Sequence, residues 1–284
     1  MTLTSGEKAF RVANGIFFVI VAVTMLYPLW YILMFSLSES HELSSLYLWP
    51  NGLSLRSYET IFREGLVVTG FRNSVVVVAA GTAISMALTI LAAYPLSRRS
   101  FFGRKQFMAF VLFTMIFNGG MIPTYLVVRS VGMVNTLWAL FMPKAIIVYN
   151  LLIMIRFFAN IPDSLIESAY IDGANDGWIL FRVILPLSTA VLAAIGLFYA
   201  VFNWNAYLPG LIYINDAVKK PLQTLLYEIV KGSESFEHTT DTIGILPESI
   251  KMATAFVTVV PILVVYPFLQ KYFVKGVMLG SVKG

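Results

Sequence analysis

Six long apolar stretches separated by polar segments organise this chain of 284 residues. They run roughly over 12–37, 70–97, 106–129, 134–158, 187–214 and 250–274. A helix crossing a bilayer needs about 20 mostly apolar residues, and each stretch is long enough. None shows the ten-residue alternation of a barrel strand. The pattern therefore predicts an all-α membrane protein with six transmembrane helices in a single domain, 1–284. The first stretch outruns the apolar core of a signal peptide, about 7–15 residues, which predicts a retained first span.

Finer features sit on this frame. Trp49-Pro50-Asn51-Gly52 is a turn signature, and Ser54 to Phe62 after it reads as a short amphipathic helix. Lying along the outer membrane surface and serving as an ordered connection fit that helix equally. Pro28, Pro95, Pro123, Pro143, Pro261 and Pro267 fall inside apolar stretches, where each removes a helical donor. Asn118-Gly119-Gly120-Met121-Ile122-Pro123 is the strongest break and predicts a bent or interrupted third span. A packing kink and an element of a transport path both suit it.

The polar segment 159–186 lies between two apolar stretches and holds four of the 15 acidic residues: Asp163, Glu167, Asp172 and Asp176. Ser164-Leu165-Ile166-Glu167 fits a capping box behind Pro162 and predicts a helix over about 164–172. Gly173 supplies the left-handed residue that ends it. Asn175 or Asp176 can cap a second helix through about Val183, and Leu185-Pro186 closes the unit and opens the fifth span. Taken by itself, Glu167 is equally a cap and a contact for a partner.

Composition narrows the choice. The chain is 58% hydrophobic and 12% charged, against about 25% charged in a soluble domain. There is no cysteine, so disulfides and thiolate metal sites are excluded. His41 and His238 stand far apart in polar segments, which predicts no metal site. The net charge of +5 is no argument for nucleic acid. Residues 98–105 carry Arg98, Arg99, Arg104 and Lys105, whereas 129–135 carries only Arg129. That contrast predicts both termini, and segment 159–186, on the cytoplasmic side.

The fifth stretch holds Tyr199, Asn203, Trp204, Asn205 and Tyr207. Tyr199 and Asn203 are four apart, as are Asn203 and Tyr207, so on a helix each pair shares a face. Aromatic faces and amides suit a sugar, and polar groups within a span face the bundle or a cavity. This patch, with Asn118, is the candidate substrate path. An interfacial aromatic belt with interhelical hydrogen bonds explains the same residues. The chain has no Gly-x-x-x-x-Gly-Lys-[Ser/Thr], so it holds no nucleotide by a P-loop. A membrane-embedded glycan or lipid transferase is the competing class, with carboxylates at 163–176 but neither histidine nor cysteine beside them. An ion channel is disfavoured, since no span carries a filter-like repeat or a charged ring.

Glu167-Ser168-Ala169, three residues, Gly173, nine residues, Val183, one residue and Leu185-Pro186 form a spaced pattern. It resembles the EAA loop of ABC-type importer permeases, Glu-Ala-Ala, three, Gly, nine, Ile, one, Leu-Pro. Ser168 stands for Ala and Val183 for Ile. Asp172-Gly173-Ala174 matches the form common in sugar permeases. Asn118 to Leu126, Leu197 to Val201 and Pro221-Leu222-Gln223 look like the branch importing oligosaccharides and polysaccharide fragments. The ending Gln270 to Gly284 is similar to the MalG-like, maltose-type tail.

The resemblance implies a type I ABC importer permease fold and a non-catalytic subunit of a bacterial plasma membrane. It implies a second, homologous but non-identical permease and a dimer of ATPase subunits that binds the ATP and Mg, with no cofactor in this chain. It implies a solute-binding protein outside, meeting the 215–249 segment, and an oligosaccharide cargo. Carried over, Glu167, Ser168, Ala169, Asp172, Gly173 and Ala174 form the ATPase-docking hairpin. Gly276, Gly280, Lys283 and Gly284 form a tail contact with the ATPase.

Overall fold

The computed structural model describes residues 4–39, 48–50, 52–63, 65–232 and 248–281. His41, His238, Lys283 and Gly284 lie outside the described residues. The chain divides into two compact units, Met1–Val68 with Leu226–Val260, and Thr69–Leu225 with Pro261–Gly284.

In the first unit, α1 (Ser5–Ser36) opens on a capping box formed by Thr4 and Glu7 and carries Pro28 inside it. Its 32 residues rise about 48 Å, more than a bilayer core of about 30 Å. α2 (Arg56–Arg63) is the amphipathic helix expected after the Trp49 turn, with Ile61 buried. The Tyr58 hydroxyl lies 2.7 Å from Ser36 Oγ, which ties α2 to the end of α1.

α3 (Leu66–Ser97) runs into the second unit and is as long as α1. The next three expected spans are all broken. α4 (Arg104–Ile116) and α5 (Met121–Ser130) meet at 116°. Gly120, at φ +87°, makes that corner, and Pro123 falls in the first turn of α5 where no donor is needed. The expected break is thus a sharp corner. The helical turn of α6 (Trp138–Phe141) with Met142–Lys144 meets α7 (Val148–Ala159) at 54°.

After α7 come α8 (Asp163–Ile171) and α9 (Asp176–Ile179). α9 continues through a wide π turn at Leu180–Ile184 into α10 (Leu185–Leu187). This rod meets α11 (Thr189–Trp204) at 85°. The fifth span therefore does not open at Pro186. The wide turn accommodates the proline, which has no N–H to donate, and the bend falls at the fully buried Ser188. α11 stops at Asn205, and α12 (Tyr207–Tyr213) follows. α13 (Leu222–Lys231) and α14 (Glu248–Ser281) complete the described chain. Among the described residues, three helices are long and apolar enough to cross a membrane, and up to six spans result if each bent pair is one.

Among the described residues, the largest core cluster lies in the second unit. It gathers Ala93 and Tyr94 of α3, Met154 and Phe158 of α7, Ile166 and Ala169 of α8, Ile179 of α9 and Ile195 of α11. The polar segment is thus bolted by its apolar face to three spans, and its other face is left outside.

Candidate functional site

The hairpin of α8 and α9 is built by local rules. α8 begins at Asp163 with Pro162 at its cap, and no side chain caps it. The expected Ser164–Glu167 box does not form. The Leu165 N–H donates to the Pro162 carbonyl at 3.2 Å, and Asp163 places a carboxylate in the positive first turn. Glu167 is thereby released from capping and is exposed, as are Ser168 and Asp172.

α8 ends as its sequence predicts. Gly173 has φ +80°. The Ala174 N–H donates to the Ala169 carbonyl at 2.9 Å and the Gly173 N–H to the Tyr170 carbonyl at 3.0 Å, a complete Schellman pair. Asn175, rather than Asp176, caps α9, its Oδ1 accepting from the Trp178 N–H at 2.8 Å. That leaves the Asp176 carboxylate for other partners. Tyr94 of α3 donates to its Oδ1 at 3.0 Å and Tyr170 of α8 donates to the same atom at 2.6 Å. The carboxylate accepting this bond, above all else, raises the Tyr170 hydroxyl above the usual phenol range.

Ile166 and Ala169 are buried in the core, so α8 presents Glu167, Ser168 and Asp172 outward. Ile171 is 86% exposed beside Asp172 at the hairpin tip, and Leu165 and Trp178 are also exposed. A rigid tip that combines carboxylates with bare apolar side chains has the makeup of a protein contact surface. Sequence reasoning selected the acids and small residues of this tip. Ile171 and Tyr94 escaped it, because an exposed isoleucine and an inward tyrosine carry no motif.

The residues proposed for the substrate path are not gathered into one face. Tyr199 is fully buried; its hydroxyl accepts the Ile147 N–H at 3.1 Å and sits 2.6 Å from Thr89 Oγ1. Asn203 and Trp204 are buried, and Asn203 Nδ2 and Trp204 Nε1 have no hydrogen-bond partner. Asn205, Tyr207 and Asn118 are exposed. The expectation that Asn203 and Tyr207 share a helix face is overturned, because α11 ends between them. A cavity of about 950 Å³ lies beside this region, lined by Phe71, Val75, Phe198, Trp204, Pro261 and Ile262 among others. Its wall is almost wholly apolar. Gly276 and Gly280 belong to the helical backbone of α14, so the expected glycine-rich tail is helical through Ser281.

Residues 85–279 match the model of the binding-protein-dependent transport system inner membrane component family, more than half of the chain. The chain belongs to that family. It is therefore a membrane permease of a transport system, and nothing supports the transferase reading. This permease is 49% identical over 239 residues, 83% of this chain and 84% of its relative, to the polygalacturonan/rhamnogalacturonan transport system permease protein YtcP of Bacillus subtilis (strain 168). It is 40% identical over 286 residues, 99% of this chain and 97% of its relative, to the protein LplC of the same organism. Its fold matches a chain in the crystal structure of a bacterial ABC transporter involved in the import of the acidic polysaccharide alginate. That match has a TM-score of 0.86 and 29% identity and covers 96% of this permease and 99% of that chain. The resemblance read from the 167–186 spacing, and with it the ABC importer permease fold, is borne out.

Proposed function

We propose that this permease is one half of the membrane pore of an ATP-driven oligosaccharide importer, in a bacterial plasma membrane with both termini cytoplasmic. In this reading residues 1–284 act as one transmembrane domain. A second, homologous permease supplies the other half of the pore, a dimer of ATPase subunits binds the ATP and Mg, and a solute-binding protein delivers cargo from outside. Fragments of acidic polysaccharides are the cargo class to test first, because polygalacturonan and alginate figure in the names of the two relatives.

The observation that carries this reading is the hairpin tip. Glu167, Asp172 and the bare Ile171 project from a helix pair whose other face is locked into α3, α7 and α11. Carboxylates there offer charge-assisted hydrogen bonds to basic groups of an ATPase cleft. Ser168 and Gly173 keep the surface small enough for close approach, while the buried Ala169 and the half-buried Ala174 support the tip from the core side. Closure of the ATPase pair then moves the hairpin, and the hairpin tilts the spans around a central path. Asn118, Asn205 and Tyr207, which are exposed, and the unspent donors of Asn203 and Trp204 are the groups proposed to line that path. Tyr199 belongs to the candidate set only as the residue that holds α11 in place. A tail contact by Gly276, Gly280, Lys283 and Gly284 completes the proposed ATPase interface.

Affinity purification in mild detergent tests the assembly: an ATPase and a second permease are expected to co-elute. Glu167→Ala and Gly173→Leu are expected to leave membrane insertion intact and uncouple hydrolysis from uptake. Cysteine labelling that finds residues 164–184 on the outer face, or an eluate with no ATPase, overturns the reading.

A further inference from the structure

Apolar packing between a hairpin and its spans is non-directional and lets surfaces slide, whereas a hydrogen bond to a carboxylate fixes register. Among the described residues, the polar link between the hairpin and α3 is the Tyr94 to Asp176 bond of 3.0 Å. It joins residues 82 positions apart. Tyr170 donates to the same oxygen at 2.6 Å from the other side of the Gly173 turn. One atom, Asp176 Oδ1, therefore ties α8, α9 and α3 together.

The groups around this atom suit a loaded joint. Asp176 is the first residue of α9, where the positive helix end favours its charge. The Arg98 guanidinium lies 5.1 Å from the centroid of the Tyr94 ring and holds that ring by its face. Arg98 Nε and Nη2 are buried with no hydrogen-bond partner, so its charge is spent on no other acceptor at those atoms. Arg98 also acts on the Tyr170 hydroxyl, on which its positive charge has a lowering influence. None of Tyr94, Arg98, Tyr170 and Asp176 belongs to the spaced 167–186 pattern.

We propose that Tyr94, Asp176 and Tyr170, backed by Arg98, form a latch that converts displacement of the hairpin into displacement of α3. Asp176 is a positioning residue: it touches neither cargo nor nucleotide and acts by holding α3 to the hairpin. The proposal rests on the reading that an ATPase docks on the Glu167 face.

The chain contains no cysteine, so one introduced cysteine is the sole thiol of this subunit and is read on the subunit's own gel band. Val68 opens α3 ahead of its apolar stretch, is exposed, and lies on the same helix as Tyr94 near its opposite end. The test uses the whole importer in lipid nanodiscs carrying Val68→Cys, with maleimide labelling rates compared before and after trapping with MgATP and vanadate. Trapping is expected to change the rate in the otherwise unsubstituted chain. Tyr94→Phe and Asp176→Asn are expected to shrink that change about tenfold or more, the scale set by losing one hydrogen bond to a charged group. ATPase co-elution and basal hydrolysis are expected to persist in both. The double variant is expected to be no worse than Asp176→Asn alone, because that change already strips the charge from the acceptor whose donor Tyr94→Phe removes. Tyr170→Phe, which frees α8 but leaves the bond to α3, is expected to give a smaller loss. An undiminished response in Tyr94→Phe and Asp176→Asn overturns the latch and leaves ATPase docking standing. Additive losses in the double variant overturn it as well. No response in the unsubstituted chain, or no bound ATPase, removes the docking reading and the latch together.

Discussion

α1 and α3 are nearly twins in sequence terms. Both are 32-residue helices, both are strongly apolar, and each carries one internal proline. Their packing is opposite. None of the most apolar window of α1 is buried, and 22% of that of α3 is. Phe10, Ile16, Phe17, Val19, Val23 and Leu26 of α1 are exposed. α3 turns Ser74, Val77, Ser85, Thr89 and Ala93 inward, and Gly81 sits among them. The difference teaches that hydropathy assigns a helix to the membrane, and that small and hydroxyl residues at three- and four-residue spacing assign it to the interior of the bundle. In lipid there is no hydrophobic drive between helices, so close backbone approach and hydrogen bonds decide which helix is inside.

The contrast breaks hardest at glycine. A Cβ on Gly81 would lie 2.7 Å from Asn203 Nδ2 and 3.0 Å from Phe141 Cβ. Gly81→Leu is expected to prevent α3 from seating, with loss of monodisperse chain on size exclusion in detergent; overpacking of this kind costs about 3 kcal/mol or more. Gly15→Leu in α1 is expected to behave as the unsubstituted chain, since nothing lies within 4 Å of that position. Equal damage from the two would erase the distinction drawn here.

The next effect is at Tyr199, the buried pin of α11 against α3 and the start of α7. Tyr199→Phe removes the bonds to Thr89 and to the Ile147 N–H and is expected to destabilise the chain by roughly 1–3 kcal/mol in thermal melts. Tyr27→Phe in α1 is expected to shift the melt by less than about 0.5 kcal/mol.

The smallest effect concerns the other end of α3. Asn73 Nδ2 donates to the carbonyls of Val218 at 2.7 Å and Lys220 at 3.2 Å. Asn73→Ala is expected to cost about 1 kcal/mol and to raise hydrogen exchange in residues 214–222, read by mass spectrometry. Among the described residues, Thr24 of α1 bonds along its own helix, to the Ile20 carbonyl, and Thr24→Val is expected to alter exchange nowhere outside α1.

The reach of the sequence follows the same line. Six apolar stretches, the helix after Trp49, the Gly173 turn and the spacing from Glu167 to Pro186 were legible because each depends on residues a few positions apart. The capping box at Ser164 was misread because Asp163 and Pro162 start the helix one turn-position earlier and leave Glu167 outward. The shared face of Asn203 and Tyr207 was misread because α11 ends at Asn205, where no glycine or proline gives warning.

Hydropathy, caps and left-handed glycines are local properties, and by themselves they set the membrane class, the helical content and the helix–turn–helix between the fourth and fifth spans. Packing alone decided that α3 turns a buried face inward while the apolar length of α1 ahead of its last turn is bare, that Ser188 carries the 85° bend, and that Tyr94 reaches Asp176. Those outcomes depend on which surfaces meet across long stretches of chain, and a contact of that kind leaves no periodic trace in either partner's sequence.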